Sequence, residues 1–451
     1  MIKFKGGEII PGVSRSVAVE GDDQLPDEVD VVVIGGGFIG CITALELAER
    51  GVSVALCEKG VIAGEASGRA AGLVEYELLS PIKMPLLARS MERWCDMSTR
   101  VNADIGYQGA GLISLFNDEK HAEFSATWLR DMQGQPGIDA RMLTPDEIKD
   151  IDPNLGSGWH SALYQANGAS IEPRLAAPAI ATAARALGAK LIQNCAVRSI
   201  ERQAGQISGV LTEKGSIKTS KVVLAGGVWS SMLASFLGIE LPQMMIFAEL
   251  ASVEPIMDGP NIAGMTPAGY YRKEPDGGYT FNKAAGRIPI TPALLKNIRK
   301  LMSAPTDVDQ EMLPVLSLPT FFWELNAYRK KPADEISMFE KYRILQPEMI
   351  DEYCTTAVEE VGQYFPAFSA CRIRERYTGS LMTTMDNLGV ISQVKSIPGL
   401  YIGTGMLYGL TMGAAAGEAL ADLITGEKPK FDITPYRYER FIDGSKFEFY
   451  P

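Results

Sequence analysis

Residues 30–58 limit the folds available to this chain more than any other stretch. They read DVVVIGGGFIGCITALELAERGVSVALCE, in which a short β-branched run is followed at once by glycines spaced as GxGxxG. Gly35 permits a tight turn, Gly37 lets the backbone approach a pyrophosphate, and Gly40 lets the following helix lie close to the strand. Strand, glycines, helix and second strand occur in order. The stretch therefore predicts a βαβ unit that binds a dinucleotide, rather than an ordinary βαβ unit.

Glu58 ends the second strand, where a carboxylate accepts hydrogen bonds from an adenosine ribose and disfavours a 2′-phosphate. This motif does not separate NAD from FAD. Residues 190–233 predict a strand, a hairpin-like pair and a buried strand that runs into a helix, an order that resembles the glutathione-reductase-type FAD fold. Since no second GxGxxG follows a strand, we expect no separate NAD(P)H site. We predict FAD as the cofactor.

The C-terminal stretch GLYIGTGMLYGLTMGAAAGEALADLITG predicts one more strand, a glycine-rich turn and a helix that begins near Thr411. The N-terminus of a helix carries unpaired N–H groups and the positive end of the helix dipole. These suit the negative charge that a reduced flavin carries near N1 and O2. We expect the isoalloxazine ring at this helix.

Charge and composition exclude several classes of protein. The 43 basic and 55 acidic residues give a net charge of -12, and the sequence has no block of Lys and Arg, so we expect no nucleic-acid partner. The two histidines, His121 and His160, are too few for a histidine triad or a multi-histidine metal site, so we predict no metal. The six cysteines lack CxxC spacing and predict buried free thiols in a reducing compartment.

The start of the sequence has no basic-then-apolar signal, and no segment offers a run of 18 apolar residues. We therefore expect a cytoplasmic protein, with peripheral contact to the inner membrane left open.

The motifs VVIGGGFIG, EKGVIAGEASGRAAG, NCAVRSIE, EKGSIKTSKVVLAGGVWS and GLTMGAAAGE together resemble the D-amino-acid-oxidase-type superfamily of FAD-dependent oxidoreductases. Within it, the sequence is most similar to the bacterial membrane-associated L-amino acid deaminases, without a counterpart of their N-terminal membrane anchor. The resemblance implies an α/β fold: a glutathione-reductase-type FAD-binding Rossmann domain with a discontinuous, mixed-sheet substrate domain. We predict residues 1–75, 150–235 and 377–451 for the FAD-binding domain, and 76–149 and 236–376 for the substrate domain.

The resemblance also implies residues that contact the cofactor. Val197 would meet the adenine, and Ala225 with Gly226 would lie along the pyrophosphate. The complete set comes from the glycine turn, the end of the second strand, the segment after it, the 197–229 region and the C-terminal helix: Gly35, Gly37, Phe38, Ile39, Gly40, Glu58, Lys59, Ser67, Gly68, Arg69, Ala70, Ala71, Gly72, Val197, Ala225, Gly226, Trp229, Gly405, Tyr408, Gly409, Leu410 and Thr411.

In the family, an arginine after a strand of the substrate domain pairs with the substrate carboxylate. The stretch GGYTFNKAAGRIPIT offers Arg287 or Lys283, and we favour Arg287 because a planar guanidinium binds a carboxylate through two parallel hydrogen bonds. Tyr408 and Leu407 correspond to a tryptophan and a valine of the loop that faces the flavin.

A family glutamine falls on Leu73, which removes a polar contact from the site. Glu75 and Glu77 follow, and on an extended chain they face the same way, so one or both would hold a cationic substrate group unless they are solvated. This predicts a preference for basic or large neutral amino acids over acidic ones.

The activity implied is oxidative deamination of an L-amino acid, with hydride transfer from Cα to FAD and release of a 2-oxo acid and ammonia. O₂ or a quinone chain would accept the electrons. Two alternatives stay open. One is oxidation of a secondary amine, such as an N-methyl amino acid or a cyclic imino acid, or of a D-amino acid. The other is a flavoprotein electron-transfer subunit.

The insertion at 290–345 would meet lipid or pack as core, and we favour core.

Overall fold

The computed structural model describes residues 15–283, 285–301, 311–332 and 334–451. Residues 1–14 of the predicted FAD-binding domain, and residues 284, 302–310 and 333 of the predicted substrate domain, lie outside the described residues.

The strands of the described chain are, in order, β1 (Val31–Ile34), β2 (Val54–Cys57), β3 (Leu73–Val74), β4 (Leu112–Phe116), β5 (Ala140–Leu143), β6 (Ser161–Gln165), β7 (Ala169–Ser170), β8 (Lys190–Ile192), β9 (Val197–Gln203), β10 (Gln206–Thr212), β11 (Gly215–Lys218), β12 (Lys221–Leu224), β13 (Gln243–Val253), β14 (Ala263–Thr266), β15 (Gly269–Lys273), β16 (Tyr279–Lys283), β17 (Ala285–Pro289), β18 (Glu311–Val315), β19 (Ile373–Thr384), β20 (Val390–Gln393) and β21 (Leu400–Thr404).

The α-helices of the same residues are α1 (Phe38–Glu49), α2 (Met84–Cys95), α3 (Met97–Arg100), α4 (Glu119–Asp131), α5 (Pro145–Ile151), α6 (Pro173–Ala186), α7 (Ser230–Ser235), α8 (Pro292–Leu301), α9 (Leu318–Ala327), α10 (Met338–Lys341), α11 (Asp351–Gly362) and α12 (Gly409–Thr425).

A six-stranded sheet forms the nucleotide-binding half, in the order β20-β21-β12-β1-β2-β8. β1 lies in its centre and pairs in parallel with β2 and β12, as the sequence of the first βαβ unit predicts. Val31 and Val33 pack into the core on one face of the sheet and Val32 into the core on the other. A β-branched run suits this strand because both of its faces are covered by apolar side chains.

Helices α1 and α12 pack against each other on one face of this sheet. Small residues allow the close approach: a Cβ added at Gly417 of α12 would lie 2.6 Å from Cγ2 of Ile42 in α1. The nucleotide-binding helix and the C-terminal helix are thus held side by side, and both begin next to the same cavity.

A three-stranded antiparallel sheet, in the order β11-β10-β9, follows α6 and β8 and precedes β12. It confirms the hairpin predicted from QAGQISGVLTEKGSIKT, in which β10 and β11 pair antiparallel. The returning strand β12 then enters the six-stranded sheet beside β1.

A ten-stranded mixed sheet forms the other half, in the order β18-β17-β13-β16-β15-β14-β4-β6-β5, with β19 paired to β13. Most of its pairs are antiparallel, and β4–β14 and β17–β18 are parallel. The predicted α/β class and discontinuous mixed sheet are confirmed. The domain segments predicted from the sequence differ from the two sheets at two places. Strand β6 and most of β19 fall within the predicted FAD-binding segments, but both strands pair within the ten-stranded sheet.

The insertion carries α8, β18, α9 and α10. Its helices bury one side, including Leu294, Thr320 and Trp323. Several large apolar residues of the segment are instead exposed, among them Leu316 at 69% and Phe322 at 55% of their surface. The preferred interpretation of LPVLSLPTFFW as core therefore holds for only part of the stretch.

Among the described residues, no helix combines the length and the hydropathy that crossing a bilayer requires.

All six cysteines are free. Four are buried, whereas Cys95 is exposed and Cys371 is half-buried, so the prediction of buried thiols fails for these two.

Candidate cofactor and substrate site

A cavity of about 310 Å³ is lined by residues of both large sheets. One side comes from the glycine turn after β1, the end of β2, residues 63–75, the end of β12 and the start of α12. The other side comes from β13, β16, β17 and β19. The arrangement brings the predicted nucleotide and substrate segments to one continuous site.

The glycine turn connects β1 to α1 at the edge of this cavity. Gly35 has a φ of +113°, and a Cβ there would lie 2.4 Å from the carbonyl oxygen of Ala225, so a side chain is excluded by both strain and space. A Cβ at Gly40 would lie 1.9 Å from the carbonyl oxygen of Gly35. Gly40 therefore lets α1 pack against the turn, and it does not line the cavity itself.

Glu58 lines the cavity directly after β2. Its two carboxylate oxygens accept hydrogen bonds from the backbone N–H groups of Gly36 and Gly60, each at 2.7 Å. Burial raises the pKa of the Glu58 carboxyl, while Lys59 and these two hydrogen bonds act in the opposite direction. Each carboxylate oxygen has a second lone pair, so the group can also accept hydrogen bonds from a ribose.

Lys59 and Trp229 close the site near Glu58. The Lys59 ammonium donates to Glu65 at 2.7 Å and to the carbonyl of Arg343 at 2.6 Å, and it lies 4.4 Å from the centre of the Trp229 ring. Arg343 in turn donates to both carboxylate oxygens of Glu213. These cations are therefore already neutralised by protein groups.

Residues 67–72 cross from the glycine turn to the substrate half. The Ser67 hydroxyl accepts a hydrogen bond from the Phe38 N–H at 3.0 Å, and the Arg69 guanidinium donates to the carbonyls of Leu345 and Thr378. A Cβ at Gly68 would lie 2.2 Å from the carbonyl oxygen of Ala63, which explains the glycine although Gly68 does not line the cavity.

Helix α12 begins at Gly409, and its N-cap residue Tyr408 forms no side-chain capping hydrogen bond. Gly409, Leu410 and Thr411 all line the cavity. The first N–H groups of a helix have no partner within the helix, so this end presents donors and a positive dipole to whatever the cavity holds.

These features fit an FAD molecule. The glycine turn leaves no room for side chains, Glu58 retains free lone pairs, and α12 offers an uncapped N-terminus. The buried hydroxyl of Ser230 also lines the cavity and has no hydrogen-bond partner among the described residues. Apart from Gly40 and Gly68, every residue predicted to contact the cofactor lines this cavity.

The substrate wall is formed by alternate residues of β13. Ile246, Ala248 and Leu250 line the cavity, whereas Phe247 and Glu249 are absent from its lining. This follows from strand geometry, in which successive side chains point to opposite faces. The predicted Leu407 and Tyr408 also line the cavity.

Arg287 is not part of this wall. It lies opposite Phe247 in the pairing of β17 with β13, and therefore shares the face of Phe247 that points away from the cavity. Its guanidinium is buried, forms an ion pair with Glu249 and donates to the carbonyl of Glu348 at 2.7 Å. The structure thus does not support the prediction that Arg287 binds the substrate carboxylate.

Lys283, the alternative, does line the cavity. Its side chain is 28% exposed, and its ammonium lies 3.7 Å from the Glu360 carboxylate. Asn282 and Tyr270 line the same part of the wall, and they pair with each other across β15 and β16.

Glu75 and Glu77 have different surroundings. Glu75 lines the cavity, whereas Glu77 does not and accepts hydrogen bonds from the hydroxyls of Ser114 and Ser125. The extended strand on which the two residues were expected to face the same way ends at Val74, and of the pair only Glu75 lines the cavity.

The sequence interpretation missed several residues of the lining. Cys195 lies in the short connection between β8 and β9, two residues before the predicted Val197, so its position in the sequence could have indicated it. Arg343, Asn282 and Tyr270 belong to no recognisable motif. Their position depends on strand pairing and on the path of the insertion.

An FAD-binding βαβ unit beside an apolar chamber on a mixed sheet defines the class of flavin-dependent oxidoreductases. Residues 30–423 match the family model DAO, described as FAD dependent oxidoreductase, and the chain belongs to this family. Its cofactor is FAD.

Two solved structures of Proteus enzymes are similar over nearly the whole chain. The L-amino acid deaminase from Proteus myxofaciens, in complex with anthranilate, is 33% identical with a TM-score of 0.90, covering 98% of this chain and 100% of that one. The L-amino acid deaminase from Proteus vulgaris is 30% identical with a TM-score of 0.87, covering 94% and 100%.

Curated relatives include human mitochondrial sarcosine dehydrogenase, 26% identical over 95% of this chain and 43% of that protein. The chain thus spans less than half the length of this relative. Sarcosine oxidase subunit beta from an Arthrobacter species is 26% identical over 92% of this chain and 91% of that protein.

Proposed function

We propose that the protein oxidises an L-amino acid at its Cα–N bond, and that the resulting imino acid hydrolyses to a 2-oxo acid and ammonia. The observation that carries the proposal is the chamber next to α12, where an apolar wall of Ile246, Ala248 and Leu250 meets Lys283 and Asn282. The likeness to the two Proteus L-amino acid deaminases, at 33% and 30% identity, supports it.

Lys283 is the proposed partner of the substrate carboxylate. The other cations of the lining, Lys59, Arg69 and Arg343, donate to protein carboxylates or carbonyls, whereas Lys283 has a carboxylate at 3.7 Å and a partly exposed side chain. Glu360 belongs to α11 and does not line the cavity, so the Lys283 ammonium would leave Glu360 and turn toward the substrate, which costs little for a partly exposed ion pair.

The remaining wall would orient the substrate. Leu407 and Tyr408 supply apolar contact on the side of α12, and the Asn282 side chain, which donates to the Glu249 carbonyl at 2.8 Å, keeps its amide oxygen as an acceptor for the substrate amine. Bound FAD would accept the hydride from Cα. Positioning of Cα and exclusion of water are the tasks left to the chain.

The activity is tested by mixing the purified flavoprotein anaerobically with L-, D- and N-methyl amino acids and following the loss of visible flavin absorption. Bleaching by L-amino acids, ahead of their D-enantiomers, supports the proposal. Bleaching by none of them contradicts it and favours an electron-transfer subunit, for which turnover requires a protein or quinone partner.

The carboxylate site is tested by Lys283→Ala, with Arg287→Ala as the matched comparison. We expect Lys283→Ala to retain FAD and raise KM for amino acids about ten-fold or more, while decarboxylated amines become relatively better substrates. Arg287→Ala should instead lower stability, because it leaves the Glu249 carboxylate buried without its partner. If Arg287→Ala raises KM while Lys283→Ala does not, Arg287 would be the residue that binds the substrate carboxylate.

Oxidation of a secondary amine is the second candidate. The similarity to sarcosine dehydrogenase and to sarcosine oxidase subunit beta favours it, and the same lysine would hold the carboxylate of an N-methyl amino acid. Faster bleaching by N-methyl amino acids than by primary L-amino acids would select this function.

A lipid surface is the proposed partner of the insertion. Exposed apolar residues of α8 and α9 and of the turn before α9 lie close in sequence to basic residues: Leu295, Ile298, Leu316, Leu318, Phe322 and Leu325 beside Arg299, Lys300, Arg329, Lys330 and Lys331. In a chain of net charge -12 this mixture suits anionic lipid headgroups.

A further inference from the structure

Glu75 and Glu77 place two carboxyl groups in the protein interior with no cation beside them. Each residue is 8% exposed, and neither forms an ion pair within the described part of the chain. Glu77 is satisfied by two hydroxyl donors, Ser114 and Ser125. The carboxylate of Glu75 has no hydrogen bond to any described residue, although it lines the cavity. A buried carboxylate without a partner is costly, so its place in a binding cavity indicates a ligand.

The backbone of Glu75 is held at the start of α12. Its N–H donates to the Thr411 hydroxyl at 3.4 Å, and that hydroxyl donates to the carbonyl of Leu73 at 3.2 Å. These bonds keep the carboxylate on the cavity wall. Burial, together with the nearby charge of Glu77, raises the pKa of Glu75 to about 8, and a cation bound in the cavity would oppose both effects.

The lining around Glu75 suits an organic cation. Among the described residues, no group of three or more His, Cys, Asp or Glu side chains is arranged to hold a metal ion. An alkylammonium or guanidinium group needs only one carboxylate and apolar contact for its methylene groups. The cavity offers both, with Glu75 as the carboxylate and Leu73 and Tyr270 in the lining.

We propose that Glu75 is the specificity-determining residue of the site and binds the cationic end of the substrate side chain, so that basic amino acids are preferred. The proposal rests on the proposed amino acid oxidation. In it, Lys283 holds the carboxylate and Glu75 holds the distal ammonium or guanidinium.

A binding experiment without turnover tests the cation site directly. The holoenzyme is titrated with 6-aminohexanoate and with hexanoate, which share a carboxylate and differ by the terminal ammonium, while the flavin absorption spectrum is followed. We expect 6-aminohexanoate to bind about ten-fold more tightly, as a charge-assisted hydrogen bond predicts, and the difference to fall within about two-fold in Glu75→Gln. Glu75→Asp should retain part of the difference in affinity between 6-aminohexanoate and hexanoate. Equal affinities in the wild type would overturn the proposal.

Turnover measurements then show whether Glu75 binds the cationic side chain of the substrate or its α-amine. We expect kcat/KM for lysine to exceed that for its neutral analogue norleucine, and Glu75→Gln to lower the value for lysine more than the value for norleucine. An equal loss for both substrates would assign Glu75 to the α-amine and overturn the proposal. If no amino acid is oxidised but 6-aminohexanoate still binds through Glu75, the proposed function fails while the cation site stands.

Discussion

Two basic residues near each other in sequence, Lys283 and Arg287, have different surroundings. Counted along a single strand they would share a face. Lys283 ends β16 and Arg287 lies in the next strand, β17, so spacing along a single strand does not apply to the two residues. Arg287 then lies opposite Phe247 and pairs with Glu249. A carboxylate-binding residue therefore cannot be assigned here by spacing alone.

Glu58 gives a direct test of the nucleotide site. We expect Glu58→Ala to weaken FAD binding roughly ten-fold or more, because it removes charge-assisted hydrogen bonds of about 1.5 to 3 kcal/mol and leaves the N–H groups of Gly36 and Gly60 without an acceptor. Fluorescence titration of the apoprotein with FAD measures the affinity. The exposed Glu201→Ala serves as control, and an unchanged affinity in Glu58→Ala would show that the acid is misassigned.

Glu75 also predicts a pH dependence of stability. Its pKa rises from 4.5 to about 8 on folding, so the protonated form is favoured in the folded state. The stability it contributes is fully present below pH 4.5 and is lost as the pH rises to about 8. We expect Glu75→Gln to be more stable than the wild type at pH 8.5, with a smaller difference at pH 5, in thermal unfolding of the apoprotein. If the stability difference between Glu75→Gln and the wild type does not change with pH, the Glu75 carboxyl is not buried without a partner.

At the scale of elements, the helices of the insertion differ from the rest of the fold. α1 and α12 are almost completely buried, with small residues at their contact. α8 and α9 bury one side and leave Leu295, Leu318 and Phe322 in solvent. An apolar surface of this kind is typical of a binding surface rather than of a monomer's exterior.

This surface predicts binding to anionic vesicles. We expect the protein to co-sediment with vesicles that contain phosphatidylglycerol and less with neutral ones, because basic residues accompany the apolar side chains. Leu318→Ser with Phe322→Ser should lower the bound fraction several-fold, since apolar burial contributes about 25 cal/mol per Å². The matched control is Met257→Ser, which changes an exposed apolar residue in the turn after β13, outside the insertion. If the bound fraction depends neither on lipid charge nor on these substitutions, the proposed contact of the insertion with lipid would be excluded.

At the scale of the whole molecule, the cavity lies between the half built on the six-stranded sheet and the half built on the ten-stranded sheet. Its lining includes the glycine turn of the six-stranded sheet and strand β13 of the ten-stranded sheet. A molecule bound there contacts both halves, so its binding energy contributes to the stability of the complete fold.

The cofactor should therefore stabilise the protein and remain separable from it. Neither histidine lines the cavity, and we expect acid precipitation to release FAD into the supernatant. At 100 times the dissociation constant, added FAD should stabilise the apoprotein by about 2.7 kcal/mol and raise Tm by a few degrees. Differential scanning calorimetry measures the shift. Flavin that stays in the pellet, or an unchanged Tm, would contradict a non-covalent site between the halves.

Local patterns in the sequence determined the nucleotide-binding half. One continuous βαβ unit contains the β-branched run at Val31, the glycines at Gly35 and Gly40 and the acid at Glu58, so their spacing in the sequence predicts this unit. The hairpin of β10 and β11 follows for the same reason.

Only the tertiary structure decided the substrate side. The placement of β6 and β19 in the mixed sheet, the outward face of Arg287 and the separate surroundings of Glu75 and Glu77 depend on backbone pairing and turns between distant residues. Strand pairing over long sequence separations assigns a side chain to one face or the other, and a shift of one residue reverses that face. The positions of the residues that would select the substrate therefore depend on the folded structure.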